Sequence, residues 1–444
     1  MKACIGLFFM ATTILVAAQN PAQLTFEEAV KIGLERNVTL KQQKNQLELN
    51  QVQKMAGYAN FLPSINATSR FLRQSGQQPS AQTGDLIDLK TNNFNASLNG
   101  NLTLFNGFRT VNTIGQATNQ LMSQSYLVKR SSQDVVSLVA SQYLQVLLDQ
   151  ELLKIAEENV KSQTALFNQM QGFFDVGTRA ITDVYSQDAL LKAANVAFIR
   201  ARNTLQNDKA LLAQSLQLDL SQDFQVAYPT FKSDFGSYDK MSLDTLVEIA
   251  IANRADLEQL RYQVKANQFF HKSLSSNFIP NISIFASYGS FYSSVIPLEF
   301  GTQFNTLNPS LSYGATLTIP IFNRFTNKAQ RMGAEVLYKN SELNRQNLEK
   351  TVKNDVQRAR ANLINAIENM DASQAQFQAS ELALKTQQES YELGISNQVA
   401  LAQANQVYVQ GASSKAQAEI TLLFQRILLD YSLGILKADE FMGQ

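Results

Sequence analysis

A hairpin pattern that occurs twice constrains the fold of this chain more than any other feature. In the second copy, apolar and polar residues alternate along two segments of about ten residues, a period that predicts strands with one apolar and one polar face. The apolar positions are Ile282, Ile284, Ala286, Tyr288 and Tyr292, then Leu311, Tyr313, Ala315, Leu317 and Ile319. Tilted strands of this length match the hydrocarbon thickness of a bilayer, so the apolar faces are suited to lipid.

The first copy of the hairpin lies 217 positions earlier, so that Pro63 corresponds to Pro280. Its apolar positions are Ile65, Ala67 and Phe71, then Phe94, Leu98, Leu102 and Leu104. The four strands are predicted near residues 64–73, 93–105, 281–292 and 309–320. The chain therefore carries four lipid-length strands in two separate hairpins.

The offset of 217 positions continues outside the hairpins, which indicates an internal duplication. It relates Thr25 to Ser242, both predicted helix N-caps, and Gly177 to Gly394. Each copy is predicted to fold as helix, helix, strand, strand, long helix, tip and helix. The predicted segments are a signal peptide at 1–18, a first repeat at 19–218, a linker at 219–240, a second repeat at 241–436 and a tail at 437–444.

The long helix of the first repeat is predicted from about Gly107 to Phe173, a stretch without proline. At 1.5 Å per residue it would be roughly 100 Å long. Its heptad seam consists of Val135, Val139, Gln142, Val146, Asp149, Leu153, Ala156 and Val160. Such a 3.5-residue repeat predicts left-handed coiled-coil packing against neighbouring helices.

The N-terminus has the pattern of a secretory signal, with Lys2 followed by an apolar run and small residues up to Ala18. The single cysteine, Cys4, precedes that run, so the mature chain is expected to lack cysteine. No later stretch has about 20 apolar residues, so entry into a membrane would require strands. The net charge of +1 and the absence of basic runs give no indication of nucleic-acid binding.

Four strands cannot close a barrel, and open strand edges in lipid would leave backbone groups without hydrogen bonds. The smallest single-chain bacterial barrels have about eight strands, so at least two copies of this chain must contribute their hairpins to one barrel. The strand count excludes a monomer and leaves the number of copies open.

The duplicated unit, the Phe61-Leu62-Pro63 and Phe278-Ile279-Pro280 turns, and the tip at 174–184 resemble the TolC-like outer membrane efflux proteins. The resemblance covers nearly the whole mature chain. It implies a mixed α+β membrane protein: a homotrimer with a twelve-stranded outer-membrane β-barrel and a periplasmic α-barrel of long helical hairpins. It also implies docking to a periplasmic adaptor and an inner-membrane transporter, in the outer membrane of a Gram-negative bacterium.

In this family, a tyrosine three residues before the second tip glycine holds the tunnel closed through a threonine and an aspartate after the first tip. The matching residues are Tyr391, Thr182 and Asp183. A shielded hydroxyl-to-carboxylate hydrogen bond contributes about 1.5–3 kcal/mol, enough to bias a gate. Alternatively, Thr182 and Asp183 cap the helix that follows the tip.

The chain departs from the family pattern at the constriction. The family places two aspartates after the second tip glycine, where this chain has Ala400 and Gln403, and an arginine where it has Ser396. We predict a constriction of little charge, lined by Asn397, Gln398 and Gln403, that multivalent cations block only weakly.

The tips themselves are the predicted docking surface for the adaptor. Val176, Gly177, Leu393 and Gly394 provide small and apolar positions at the two turns. Each glycine also has a structural explanation, since glycine ends helices in a left-handed conformation.

No enzyme motif, cofactor motif or metal-ligand spacing is recognised. His271 is the only histidine and lies in a predicted helix beside two phenylalanines, which favours a packing role. The leading hypothesis is thus a passive exit channel for efflux or type I secretion. The alternative is a periplasmic coiled-coil scaffold without a pore, and the transported substrate stays undetermined.

Overall fold

The computed structural model describes residues 22–79, 84–219, 224–229 and 241–437. The helices are α1 (Phe26–Arg36), α2 (Val38–Ala59), α3 (Arg109–Asp175), α4 (Ile181–Leu216), α5 (Leu243–Asn253), α6 (Ala255–Ser275), α7 (Phe300–Thr302), α8 (Thr326–Glu392) and α9 (Gln398–Leu433). The strands are β1 (Ala22–Leu24), β2 (Ser64–Pro79), β3 (Leu86–Phe105), β4 (Phe224–Val226), β5 (Asn281–Ser293) and β6 (Ser310–Thr318). The predicted signal peptide, most of the predicted linker and nearly all of the predicted tail lie outside the described residues.

The order of elements predicted for each repeat is present in both copies. Adding 217 to the first and last residues of α1, α3 and α4 gives those of α5, α8 and α9. The predicted N-caps are also present: the Thr25 side chain accepts from Glu28 N at 3.2 Å, and Ser242 Oγ accepts from Thr245 N at 3.2 Å. The duplication read from the sequence is therefore a duplication of structure.

The chain divides into two compact units. The tip unit comprises residues 1–38, 132–249 and 355–444, and the sheet unit comprises residues 39–131 and 250–354. Helices α3 and α8 each contribute residues to both units.

The sheet unit contains one four-stranded antiparallel sheet in the order β2-β3-β5-β6. Its register aligns the predicted apolar positions across the strands. Ala67 pairs with Leu98, Leu98 with Tyr288 and Tyr288 with Leu311. The two hairpins thus form a single sheet whose apolar residues share one face.

The opposite face of the sheet carries Phe285, Phe291 and a set of small polar side chains that hydrogen-bond across strands. Thr68 Oγ1 and Ser97 Oγ are 2.8 Å apart, Asn99 Nδ2 donates to Ser97 Oγ at 3.0 Å, and Ser287 Oγ donates to Asn99 Oδ1 at 2.7 Å. This chain of contacts joins three strands and satisfies polar groups without burying them. The face is suited to water.

Two details of the strands differ from the sequence prediction. The first hairpin is longer than expected, because backbone pairing continues from Arg73–Asn92 to Pro79–Leu86. The ladder also slips between Thr103 and Phe105, so that Phe105 lies opposite Ile282. Leu104, predicted to extend the apolar face, lies in this bulge, which no periodicity reveals.

The connection from β5 to β6 is folded around Gln303, which is fully buried. The Gln303 amide nitrogen donates to the carbonyl oxygens of Ser293, Ile296 and Leu298 at 2.7–3.2 Å, and its Oε1 accepts from Ser293 N at 3.1 Å. One side chain therefore orders most of this connection.

The core of the tip unit surrounds the part of α3 that follows residue 132. Burial there is wider than the single predicted seam and includes Val135, Val136, Val139, Ala140, Tyr143, Leu144, Val146 and Leu147. The Tyr143 hydroxyl lies 2.9 Å from Leu24 O and 2.7 Å from Ala227 O, beside the parallel pair β1–β4. No described helix carries an apolar stretch long enough to cross a membrane.

Asp149 is a buried carboxyl on α3, at one of the polar positions of the seam. Gln145 Nε2 donates to Asp149 Oδ1 at 3.1 Å, and the Asp208 carboxyl lies beside it. Burial and then Asp208 raise the pKa of Asp149 to about 7. Because the folded state binds this proton more tightly than the unfolded chain, folding stability decreases as pH rises from about 4 to about 7.

We therefore expect the wild-type protein to be more stable at pH 5 than at pH 8, by about 2–3 kcal/mol from this group. Asp149→Asn should remove most of that pH dependence, because the amide does not titrate. The measurement is the apparent melting temperature at both pH values, with Glu157→Gln at a surface ion pair of 2.8 Å as the control. An Asp149→Asn variant with the same pH dependence as wild type would contradict the assignment.

Candidate functional site

The candidate site lies at the two tips of the tip unit, where long helices end at glycine. Gly177 follows α3 with φ 76°, and Gly394 follows α8 with φ 74°. Gly177 N donates to Phe174 O at 2.8 Å, and Gly394 N donates to Tyr391 O at 3.1 Å. Both glycines terminate helices in the left-handed conformation, as the sequence predicts.

The helices after the two tips begin differently. Asn397 caps α9, since its Oδ1 accepts from Ala400 N at 2.9 Å. Helix α4 starts after Ala180 without a side-chain cap. The alternative that Thr182 and Asp183 cap α4 is therefore wrong, because both lie inside its first turn, where Asp183 still interacts favourably with the helix dipole.

Tyr391 lies in a buried cluster between the tips, and only 2% of its surface is exposed. The cluster consists of Met170, Val184, Leu384, Tyr391 and Leu401. The Tyr391 hydroxyl donates to Met170 Sδ at 3.0 Å. The hydrogen bond from Tyr391 to Asp183 that the family resemblance implies is not made in the single chain. Tyr391 is buried among apolar side chains, and its hydroxyl bonds to the sulfur of Met170 instead.

Arg179 is a tip residue whose contact the sequence did not reveal. Its guanidinium carbon lies 5.1 Å from the centre of the Tyr391 ring, within cation–π distance. Burial raises the pKa of Tyr391, while Arg179 opposes that shift and Asp183 adds to it. The repeat offset relates Arg179 to Ser396, so the positive charge missing from the second tip is present at the first.

A chain of amides connects α9 to the first tip. Gln398 Nε2 donates to the main-chain oxygen of Asp183 at 3.2 Å and to Gln187 Oε1 at 3.3 Å. Gln187 is buried, and its Nε2 donates to Gln163 Oε1 at 2.7 Å. Asp183 is thus linked to the second tip through its backbone oxygen, which accepts from Gln398, and not through its carboxylate.

The predicted neutral constriction residues occupy different environments. Ser396 Oγ accepts from Gln387 Nε2, Asn397 serves as a cap, and Gln403 is exposed. Ala400 is half-buried in the first turn of α9. Two of the three amides predicted to line a pore, Asn397 and Gln398, therefore hold the tip together in the single chain.

The predicted docking residues lie on the surface. Val176 is 72% exposed and Leu393 is 75% exposed, next to the two glycines. Ile395 and Val399 extend this apolar surface. No atom lies within 4 Å of a Cβ built at Gly177 or Gly394, so both turns are open to a partner.

The sheet forms a second surface with unusual exposure. Residues on both of its faces are open in the single chain, including Leu98, Leu311 and Tyr313 on the apolar face and Thr316 on the polar face. Strands β2 and β6 each pair with one described neighbour only. A single-layer sheet exposing an apolar face is not stable in water, so lipid or further copies must cover it.

The described residues contain no group of three or more His, Cys, Asp or Glu side chains arranged to hold a metal ion. The site is therefore described by its packing, amide contacts and exposed apolar surface.

The sequence profile of the family described as “Outer membrane efflux protein” matches residues 30–216 and 246–434. Each matched segment corresponds to one copy of the repeat. Together they include both hairpins, both tips and the long helices.

Two curated relatives from Pseudomonas putida are each 22% identical to this chain over 423 residues. They are the “Probable efflux pump outer membrane protein TtgC” and the “Antibiotic efflux pump outer membrane protein ArpC”. Each comparison covers 92% of this chain and 82% of the relative, so the similarity extends over nearly the full length.

Solved structures with the same fold include outer membrane channels. The Campylobacter jejuni CmeC channel has a TM-score of 0.80 at 16% identity, covering 98% of this chain and 94% of its own. The open Neisseria gonorrhoeae MtrE channel has a TM-score of 0.74 at 18% identity, covering 98% and 99%. At these identities the likeness concerns the fold.

Proposed function

The chain belongs to the outer membrane efflux protein family, and from that premise we propose that it is the exit channel of a tripartite efflux system. In this role it is a passive conduit from the periplasm across the outer membrane. A periplasmic adaptor and an inner-membrane transporter supply the energy and the substrate. The family is one of efflux proteins, which agrees with the lack of a recognised enzyme motif.

The observation that carries this proposal is the four-stranded sheet, which has an apolar face and two edge strands that pair with no further described strand. Edge strands in lipid require partners for their backbone groups, and four strands are too few to close. Three copies would pool twelve strands, with apolar rows facing lipid and polar rows facing the lumen. A water-soluble scaffold would instead bury the apolar face inside its own core.

The tips support the docking and gating part of the proposal. Exposed Val176 and Leu393, beside open glycine turns, form the surface on which adaptor helices dock. Tyr391, Thr182 and Asp183 remain predicted gate residues, to which the structure adds Arg179, Gln187 and Gln398 as contacts between the tips.

Gln398→Ala is expected to weaken closure, because it removes two hydrogen bonds between the tips. Their net contribution of about 1.5 kcal/mol corresponds to roughly a tenfold increase in the open population. Single-channel recordings measure this population. Gln406→Ala, which removes an exposed amide further along α9, is the matched control. Equal open populations in the two variants would contradict the proposed link.

The function is tested by reconstituting the purified protein into planar bilayers. We expect a detergent-requiring, heat-modifiable oligomer with discrete conductance. The predicted neutral constriction implies that multivalent cations reduce this conductance only slightly, and a steep block would contradict it. A protein that stays soluble without detergent and gives no conductance would support the scaffold instead.

A further inference from the structure

A groove in the sheet unit lies where β6 ends and α8 begins. Its volume is about 410 Å³, and its lining includes Phe278, Pro320, Phe322, Phe325, Lys328 and Arg331. Strand β6 ends at Thr318, two residues before Pro320. The groove therefore lies directly below the strands proposed to cross the bilayer.

Two cations on the first turns of α8, Lys328 and Arg331, line this groove together with one acidic residue, Glu335. Neither Lys328 nor Arg331 forms an ion pair with any residue in the described part of the chain, and the Arg331 guanidinium carbon lies 6.0 Å from the Phe278 ring centre. The nearby carboxylate of Glu335 is paired with Lys339 at 2.8 Å. Glu335 also lines the groove, so the lining carries the two cations Lys328 and Arg331 against one carboxylate and keeps a net positive charge.

Apolar side chains beside the cations are open to the surroundings. Ile321 is 94% exposed and follows Leu317 and Ile319 on the apolar side of the strand pattern. Phe322 and Phe325 are also exposed, and their rings meet edge to face with centres 5.6 Å apart. A ligand that matches this surface must combine an anionic group with an apolar part.

The first repeat provides an internal comparison. Phe105 and Phe108 form the same edge-to-face pair at 5.4 Å, and Phe108 and Phe325 share a left-handed backbone with φ 65° and 61°. The cations Arg324, Lys328 and Arg331 of the second repeat correspond to Gly107, Val111 and Ile114 in the first. The aromatic turn is therefore common to both copies. The first copy has one cation here, Arg109, at the position of Thr326, whereas the second copy has three.

We propose that this groove binds an anionic phospholipid from the membrane leaflet that faces the periplasm. Lys328 and Arg331 contact the lipid phosphate, and Ile321, Phe322 and Phe325 contact the upper acyl chains. An anionic headgroup fits better than a zwitterionic one, because two unpaired cations would repel the headgroup amine. The proposal rests on the proposed placement of the sheet in the outer membrane.

The test is native mass spectrometry of the purified full-length oligomer, titrated with phosphatidylglycerol or phosphatidylethanolamine. The wild type is expected to prefer phosphatidylglycerol, and Lys328→Gln/Arg331→Gln should weaken its binding by about 30-fold. The control Lys350→Gln/Lys353→Gln removes the same charge further along α8 and should bind like the wild type. The charge-preserving Lys328→Arg/Arg331→Lys variant should also bind like the wild type.

Several results would overturn the proposal. These are equal binding by the wild type and the Lys328→Gln/Arg331→Gln variant, an equal loss in the control, and equal affinity for phosphatidylethanolamine. Displacement of the lipid by inorganic phosphate alone would show a free-anion site. Conductance of each variant is recorded in parallel, so failure of lipid binding with intact conductance removes this proposal and leaves the exit channel standing.

Discussion

Ala315→Arg is expected to prevent assembly of the protein in the outer membrane. Ala315 lies near the middle of β6 on the apolar face, opposite Ile284, which itself lies opposite Leu102. Arginine at the lipid-facing midplane of a barrel costs about 2–4 kcal/mol, or roughly 30- to 1,000-fold per chain. The cost recurs in every copy, so an oligomer loses several times this amount.

The neighbouring residue offers a matched control on the same strand. Thr316 is equally open but lies on the polar face, opposite Ser283. Thr316→Arg should assemble normally, because its side chain points to water in the lumen. The amount of heat-modifiable oligomer in outer-membrane fractions measures both variants. If Ala315→Arg assembled and Thr316→Arg did not, the sheet would be oriented opposite to the proposal.

Gly177→Glu is expected to reduce export to the level of a strain lacking this chain, while the amount of oligomer stays unchanged. The position has open space around it, so a side chain does not clash within the chain. A glutamate there would place a charge beside Val176 on the apolar surface proposed to contact the adaptor. Burying an unpaired charge in that contact costs more than a docking interface of this kind can offset.

The test must distinguish loss of docking from strain in the left-handed backbone at Gly177. Any residue with a Cβ strains the turn, but asparagine tolerates the left-handed region and adds no charge. Gly177→Asn should therefore retain most export, measured in the same export assay alongside oligomer abundance. Full export by Gly177→Glu would leave the glycine with a role in the turn alone.

The candidate site was only partly predictable from the sequence. Gly177 and Gly394 were recognised because their conformational role is local and occurs at the same repeat position. Tyr391 was predicted to contact Thr182 and Asp183, whereas its hydroxyl partner, Met170, belongs to a different helix far away in the chain. Arg179 and Gln398 were not predicted to connect the two tips, because their contact partners also lie far away in the chain. The repeat offset relates Arg179 to Ser396, where the family has an arginine, and this correspondence could have identified Arg179.

The sequence by itself determined the duplication, the order of helices and strands in each copy, and the alternation of apolar and polar residues along the four strands. The helices and strands follow from the backbone geometry of a few neighbouring residues, which periodicity and caps report directly. The duplication follows from the constant offset of 217 between matching residues. Only the tertiary structure decided that β3 pairs with β5, that a bulge displaces Leu104, and that buried Tyr391 bonds to Met170. These contacts join segments that are far apart in the chain. A local sequence pattern does not show which of several possible distant segments a strand or side chain will contact.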